Sequence, residues 1–140
     1  MPAHRTVAID TIQRELTAFA RRARGTAAAL HPGLSLVAFS ILDLIIERDG
    51  CQATDLAERY HLDKSTISRQ VTALAELGYL TREVDNTNRR NNILRPTTEG
   101  KRVAREAEQV RHEVFEERLH DWSDTDVARF AEYLRRYNAG

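Results

Sequence analysis

The side chains best suited to chemistry lie on one segment, Lys64 to Leu77, in which small hydroxyl residues accompany a single arginine. The candidate residues are Lys64, Ser65, Thr66, Ser68, Arg69 and Thr72. An arginine can form a bidentate hydrogen-bond pair with guanine, and serine and threonine hydroxyls can reach bases or phosphates. The composition therefore favours a contact with DNA. A solvated helix face is the alternative, because it has the same residue types.

The helical phase of this segment predicts which side chains would be free for such a contact. At about 100° per residue, three apolar residues share one narrow arc of a helix. They are Ile67, Val71 and Leu74. This arc should face the core, which leaves Ser65, Arg69 and Thr72 on the opposite arc. Asp63 is suited to cap the helix, and Gly78 to end it.

A second pair of candidates, Arg89 and Arg90, lies in a polar stretch between two predicted strands. The strands are Tyr79–Glu83 and Ile93–Arg95, and the residues between them are rich in turn-forming Asp and Asn. Arginines at the tip of such a hairpin could reach the DNA backbone or a narrow minor groove. The alternative is a solvated hairpin with a surface ion pair.

Apolar periodicity predicts the elements that would position these residues. Two helices come first, over Val7–Leu30 and Ser35–Arg48, and a short helix capped by Thr54 precedes the segment described above. After the strands, one helix opens at Thr97 and runs to about residue 120, and Ser123 caps the last one. The expected fold is mainly α, with about six helices and a small sheet of two or three strands, arranged as a winged helix-turn-helix.

The first and last helices each carry an apolar stripe with little else in the chain to cover it. The stripes consist of Ile12, Leu16, Phe19 and Ala23, and of Val127, Phe130, Leu134 and Tyr137. Packing against a second copy would bury them, so we predict a two-fold dimer, with a closed monomer as the alternative. On this view residues 1–33 and 97–140 form a helical dimerisation region, and residues 34–96 form a DNA-binding lobe.

Charge is unevenly distributed along a chain of zero net charge. Residues 64–105 carry nine basic and four acidic groups, a net of +5, whereas residues 1–63 have a net of −1 and residues 106–140 a net of −4. A localised phosphate-binding surface would produce this pattern, as would ordinary charge scatter.

Other function classes find less support in the sequence. No apolar run approaches the ~18–20 residues that cross a membrane. The single cysteine, Cys51, cannot form an internal disulfide and is read as a packing residue, so we expect a cytoplasmic protein. We find no nucleophile–base pair, phosphate-binding glycine loop or complete metal site, and therefore expect no enzyme, cofactor or metal. His112 and Glu116, one helical turn apart, make only half a metal site.

Two runs of sequence resemble the MarR family: Thr54 to Arg69, with the pattern LA…DKSTISR, and Leu74 to Arg82, with LAELGYLTR. The likeness continues in register through the wing. The matching wing positions are Asp85, Arg89, Arg90, Leu94, Thr97 and Gly100. Asn88 departs from the family pattern, which has an aspartate that orients the wing arginines. Pro96 also departs from it and is expected to shorten the second strand.

The resemblance implies a homodimer formed by the first, fifth and sixth helices. The fourth helix would enter the major groove of a pseudo-palindromic double-stranded DNA operator, with the wing near the minor groove. Members are often repressors that a small aromatic ligand releases, but no ligand-binding residue can be assigned here. We therefore expect a sequence-specific DNA-binding transcriptional regulator, and more specifically a repressor that responds to a ligand. The alternative is a winged-helix module that binds proteins.

Overall fold

The structure is a computed structural model that describes residues 2–84 and 92–140. Within these ranges there are six helices and three strands. In chain order they are α1 (Pro2–Leu30), α2 (Leu36–Glu47), β1 (Cys51–Gln52), α3 (Ala53–Tyr60), α4 (Lys64–Glu76), β2 (Leu80–Val84), β3 (Asn92–Pro96), α5 (Thr98–Leu119) and α6 (Asp124–Ala139). The predicted mainly α class with a small sheet is confirmed. The chain forms two compact units, one ending at Arg105 and the other running from Glu106 to Gly140.

The sheet of the first unit is antiparallel, in the order β1-β3-β2, with Leu94 of β3 paired to both Cys51 and Arg82. β1 was not predicted from the sequence, because a two-residue strand has no period to detect. The expectation that Pro96 shortens the second strand was wrong. Pro96 pairs with Leu80 on the β2 side and lies past the short β1, so its missing N–H interrupts no ladder there.

The core of the first unit is built on α2, which is apolar around most of its girth. Its buried residues are Ala38, Phe39, Ile41, Leu42, Leu44 and Ile45. They pack with α4 and β3, whose fully buried members include Ile67, Leu74 and Leu94. Each such side chain stabilises the fold by about 1.5–3 kcal/mol relative to exposure. This core fixes the rotation of α4 about its own axis.

The predicted cap at Ser123 is confirmed, because its side chain accepts a hydrogen bond from the Asp126 N–H at 3.1 Å. Ser35 was predicted to lie within the second helix but is its N-cap, and its side chain accepts from the Ala38 N–H at 3.1 Å. The predicted Thr54 cap was wrong, because β1 leads straight into α3 and the helix begins at Ala53. There, the Gln52 N–H donates to Asp55 Oδ2 at 3.0 Å. α1 begins at Pro2, earlier than predicted, and proline suits the first turn of a helix.

Tyr79 joins α4 to β2 and contacts two other parts of the first unit. Its carbonyl accepts from the Thr97 N–H at 3.1 Å, and its hydroxyl lies 2.9 Å from His31 Nε2. His31 Nδ1 accepts from the Gly33 N–H at 3.2 Å, so Nε2 carries the ring proton and donates to Tyr79. Gly100 at the start of α5 lies so close to Tyr79 that a Cβ there would be 2.0 Å from the Tyr79 carbonyl oxygen.

Large apolar side chains are exposed on α1 and throughout the second unit. On α1 they are Val7, Ile9, Ile12, Leu16 and Phe19. In the second unit they are Val114, Phe115, Trp122, Phe130, Tyr133, Leu134 and Tyr137. None of the helices in residues 2–84 and 92–140 has the length and apolar character needed to cross a membrane.

Candidate nucleic-acid interface

One exposed face of α4 holds most of the predicted site residues. Ile67, Val71 and Leu74 are 1%, 3% and 0% exposed, so the apolar arc of the helix is buried. The remaining surface carries Lys64, Ser65, Ser68, Arg69 and Thr72, all exposed, with Thr66 half-buried at its edge. The structure therefore brings the small hydroxyl residues and Arg69 together on one solvent-facing surface, which we call the α4 face.

Asp63 organises the N-terminal end of the α4 face. Its Oδ1 accepts from the Thr66 N–H at 2.7 Å and from the Ser65 hydroxyl at 3.1 Å. The hydrogen bonds from Thr66, followed by the one from Ser65, lower the pKa of Asp63. Because these bonds favour the charged carboxylate, ionised Asp63 holds the first turn of α4 in place.

The lowered pKa of Asp63 predicts an acid-dependent contribution to stability. A carboxyl whose pKa is depressed on folding stabilises the protein above its unfolded pKa of about 3.9, and this stabilisation is lost as pH falls through the folded pKa. Asp63→Asn can still cap the helix but cannot titrate. We expect its free energy of unfolding, from urea denaturation at fixed protomer concentration, to fall less steeply below about pH 4 than that of the wild type.

The matched control for this measurement is Asp10→Asn, which changes an exposed aspartate within α1. It should leave the acid dependence close to that of the wild type. If Asp63→Asn and the wild type lose stability in parallel below about pH 4, Asp63 is not the group responsible.

Two arginines donate to threonine hydroxyls of α4. Arg69 Nη2 lies 3.2 Å from Thr66 Oγ1, within the helix. Arg82 Nη2, from β2, lies 3.0 Å from Thr72 Oγ1. Arg82 was not predicted to belong to the site, because a strand residue gives no sign of which helix it will contact. The available signals were its position in the basic stretch of residues 64–105 and its place at the end of the run LAELGYLTR.

Arg95 fixes the root of the hairpin formed by β2 and β3. Its Nε donates to Glu83 Oε2 at 2.8 Å, and its Nη1 donates to the carbonyl oxygen of Asp49 at 2.7 Å. The hydrogen bond and charge of Glu83 raise the pKa of Arg95. One side chain thus joins both strands to the turn before β1, where Asp49 and Gly50 have φ of +49° and +111°. The predicted wing residues Arg89 and Arg90 lie outside the described residues.

A depression of about 480 Å³ is lined by residues of α3, α4 and the sheet. Apolar residues form much of its lining, together with Lys64, Ser68 and Arg82, and with Glu58 on the α3 wall. The two cations Lys64 and Arg82 therefore line one hollow beside the α4 face.

Other chemistry-bearing residues are more isolated. His112 Nε2 lies 3.5 Å from Glu116 Oε1, but no group of three His, Cys, Asp or Glu residues in the described ranges could hold a metal ion. Cys51 is buried in β1, and this burial, followed by the charge of Asp55, raises the pKa of its thiol. A raised pKa disfavours the reactive thiolate.

The sequence of this chain is similar to a known protein family and to a known regulator. The sequence profile of the MarR family matches residues 34–91. The HTH-type transcriptional regulator YxaD of Bacillus subtilis (strain 168) is 31% identical over 132 residues, which cover 93% of this chain and 92% of the relative.

Two solved structures share the fold over nearly the whole chain. The transcriptional regulator BldR from Sulfolobus solfataricus is 26% identical, with a TM-score of 0.79 over 97% of this chain and 95% of that one. A crystal structure of MarR is also 26% identical, with a TM-score of 0.83 over 91% of this chain and 88% of that one.

Proposed function

The chain belongs to the MarR family of transcriptional regulators, and on that premise we propose that it binds a pseudo-palindromic operator in double-stranded DNA as a homodimer. Each protomer would place α4 in the major groove and its wing near the adjacent minor groove. The dimer and the operator would share one two-fold axis, so each protomer would make the same contacts with its own half-site.

The observation that carries the proposal is the rotation of α4. The buried arc of Ile67, Val71 and Leu74 leaves Ser65, Arg69 and Thr72 exposed on the other side. Small hydroxyl side chains let the helix backbone approach the bases, and Arg69 is the longest hydrogen-bond donor of these three exposed residues. In this proposal Arg69 reads a base edge, Ser65, Ser68 and Thr72 contact bases or phosphates, and Lys64 and Thr66 support the same surface. Arg89 and Arg90 contact the backbone or the minor groove.

We assign the chain's DNA-binding and dimerisation regions from the location of its exposed apolar side chains. Residues 34–96 form the DNA-binding lobe, and residues 1–33 and 97–140 form the dimerisation region. Support comes from α1, where Ile12 is 51% and Phe19 43% exposed, and from α6, where Tyr137 is 67% exposed. Exposed apolar side chains that are grouped in this way mark a surface that a second copy of the chain could bury.

The proposed mode of action is repression, with release by a small aromatic ligand, as the family resemblance implies. No residue is assigned to the ligand. The competing role, a winged helix that binds proteins, predicts no DNA retention. DNA binding by phosphate contacts must weaken steeply as salt rises, so retention of the purified protein on a duplex column at increasing salt separates the two roles.

Arg69→Ala tests the base-reading role directly. We expect it to weaken binding to a duplex selected by the wild type from random sequences by about 1–3 kcal/mol for each half-site, since one bidentate contact is lost in each protomer. Binding to an unrelated duplex should change much less, so the ratio between the two falls. Both affinities would be measured by fluorescence anisotropy at one salt concentration.

Arg21→Ala is the control for this experiment, because it removes an exposed arginine from α1, outside the proposed lobe. It should bind both duplexes as the wild type does. An Arg69→Ala variant that retains full preference for the selected duplex contradicts the assignment of the α4 face.

A further inference from the structure

We propose that Arg82 binds a backbone phosphate at the point where the wing meets α4, a role that rests on the proposed DNA-binding function. Arg82 belongs to β2, where it pairs with Leu94 of the central strand. Its side chain leaves the sheet and reaches the α4 face, with Nη2 3.0 Å from Thr72 Oγ1. Thr72 lies one turn after Ser68, so a guanidinium from the wing root is added to the exposed surface of the helix.

The hydrogen-bond partner of Arg82, the Thr72 hydroxyl, is neutral and does not offset the positive charge of the guanidinium. Four other arginines pair with carboxylates: Arg95 with Glu83, Arg102 with Glu99, Arg111 with Glu108 and Arg135 with Glu132. Arg82 instead donates to a neutral hydroxyl, and within residues 2–84 and 92–140 no carboxylate lies within 4.0 Å of its guanidinium. A guanidinium has five N–H donors, and a phosphate can accept two of them in parallel.

The geometry of a duplex places a phosphate strand at this point. When α4 occupies the major groove and the wing reaches the neighbouring minor groove, the strand that divides the two grooves must cross the protein between them. β2 is the segment that leads from the end of α4 into the wing, and Arg82 projects from it. Lys64 and Ser68 line the same hollow as Arg82, so a second cation and a hydroxyl lie beside the crossing strand. Glu58, from α3, also lines this hollow.

The hydrogen bond to Thr72 gives this arginine a fixed starting position. An exposed arginine loses conformational freedom when it binds, and a side chain held in place beforehand loses less. Thr72 Oγ1 accepts from Arg82 and keeps its own O–H as a donor. The two side chains can therefore contact DNA together.

The test measures how the affinity for the duplex selected by the wild type depends on salt concentration. It compares the wild type with three variants of the full chain: Arg82→Ala, Arg82→Gln and Arg82→Lys. The logarithm of the association constant falls with the logarithm of salt concentration by about 0.9 for each phosphate neutralised on B-DNA. For a dimer, losing Arg82 in both protomers should make the slope shallower by about 1.8 in Arg82→Ala and Arg82→Gln. Arg82→Lys keeps the charge and should keep the wild-type slope.

Two controls separate phosphate binding from a purely structural role. Thr72→Val removes a hydroxyl that is itself a proposed DNA contact and that holds Arg82, so the affinity should fall at every salt concentration. It leaves the charge of Arg82 in place, so the slope should stay near the wild-type value. Arg21→Ala removes a distant exposed arginine and should also leave the slope unchanged. Thermal unfolding at fixed protomer concentration would show that each variant is folded.

The outcomes distinguish this inference from the proposed function on which it rests. A wild type that shows no salt-dependent DNA binding would overturn the proposed function itself. A wild type with a steep slope that Arg82→Ala and Arg82→Gln both share would overturn the phosphate contact alone. The inference is supported when these two variants become shallower and Arg82→Lys does not.

Discussion

Gly100→Ala is expected to destabilise the protein by about 1–3 kcal/mol or more, the cost of forcing an atom into a packed site. The new Cβ would lie 2.0 Å from the Tyr79 carbonyl oxygen and 2.9 Å from the carbonyl carbon. Neither atom is free to move, since that oxygen accepts from the Thr97 N–H at 3.1 Å and the Tyr79 N–H donates to Leu74 at 2.9 Å. Urea denaturation at fixed protomer concentration would measure the loss.

Gly25→Ala is the matched control, because it makes the same substitution inside α1. Apart from its chain neighbours and the surrounding helix backbone, no described atom lies within 4 Å of a Cβ built there. Alanine is favoured over glycine within a helix by about 1 kcal/mol. This variant should therefore be slightly more stable than the wild type. Gly100→Ala with wild-type stability would show that the start of α5 can move away from Tyr79.

Ile12→Glu is expected to convert the proposed dimer into a monomer and to weaken binding to the selected duplex by roughly 100-fold or more, because the second half-site then no longer binds as part of one assembly. The Ile12 side chain is 51% exposed on α1, in the stripe that includes Leu16 and Phe19. A carboxylate buried without a partner at an apolar interface carries a large desolvation cost. Sedimentation of the free protein and binding to the selected duplex give the two readouts.

Thr17→Glu introduces the same charge about 140° further around the helix, given 100° per residue. Thr17 is exposed, and its hydroxyl donates to the Gln13 carbonyl at 2.9 Å, within α1. This control should stay dimeric and bind DNA as the wild type does. If Ile12→Glu also remains dimeric, the apolar stripe of α1 is not part of the interface.

The features that were predictable from sequence are those set by local periodicity and capping. The phase of α4 follows from the spacing of Ile67, Val71 and Leu74, and its start follows from Asp63, whose side chain accepts a hydrogen bond from the Thr66 N–H. The left-handed residue that ends the helix, Gly78 with φ +82°, is equally local.

The features that were missed depend on contacts between distant segments. β1 exists because Cys51 and Gln52 pair with β3, more than 40 residues further on, and its presence moves the start of α3 to Ala53. The hydrogen bond from Arg82 to Thr72 joins a strand to a helix through side chains. No spacing within either element encodes such a bond.

The contact between Arg95 and residue 49 has unequal consequences for two neighbouring positions. The bond is made by the main-chain oxygen of Asp49, so other side chains that accept a φ of +49° could stand there without removing it. Gly50 has no such latitude, because its φ is +111° and an added Cβ would lie 3.0 Å from Arg95 Nη1. The placement of the hairpin thus depends on a residue that precedes it by about thirty positions and belongs to neither of its strands.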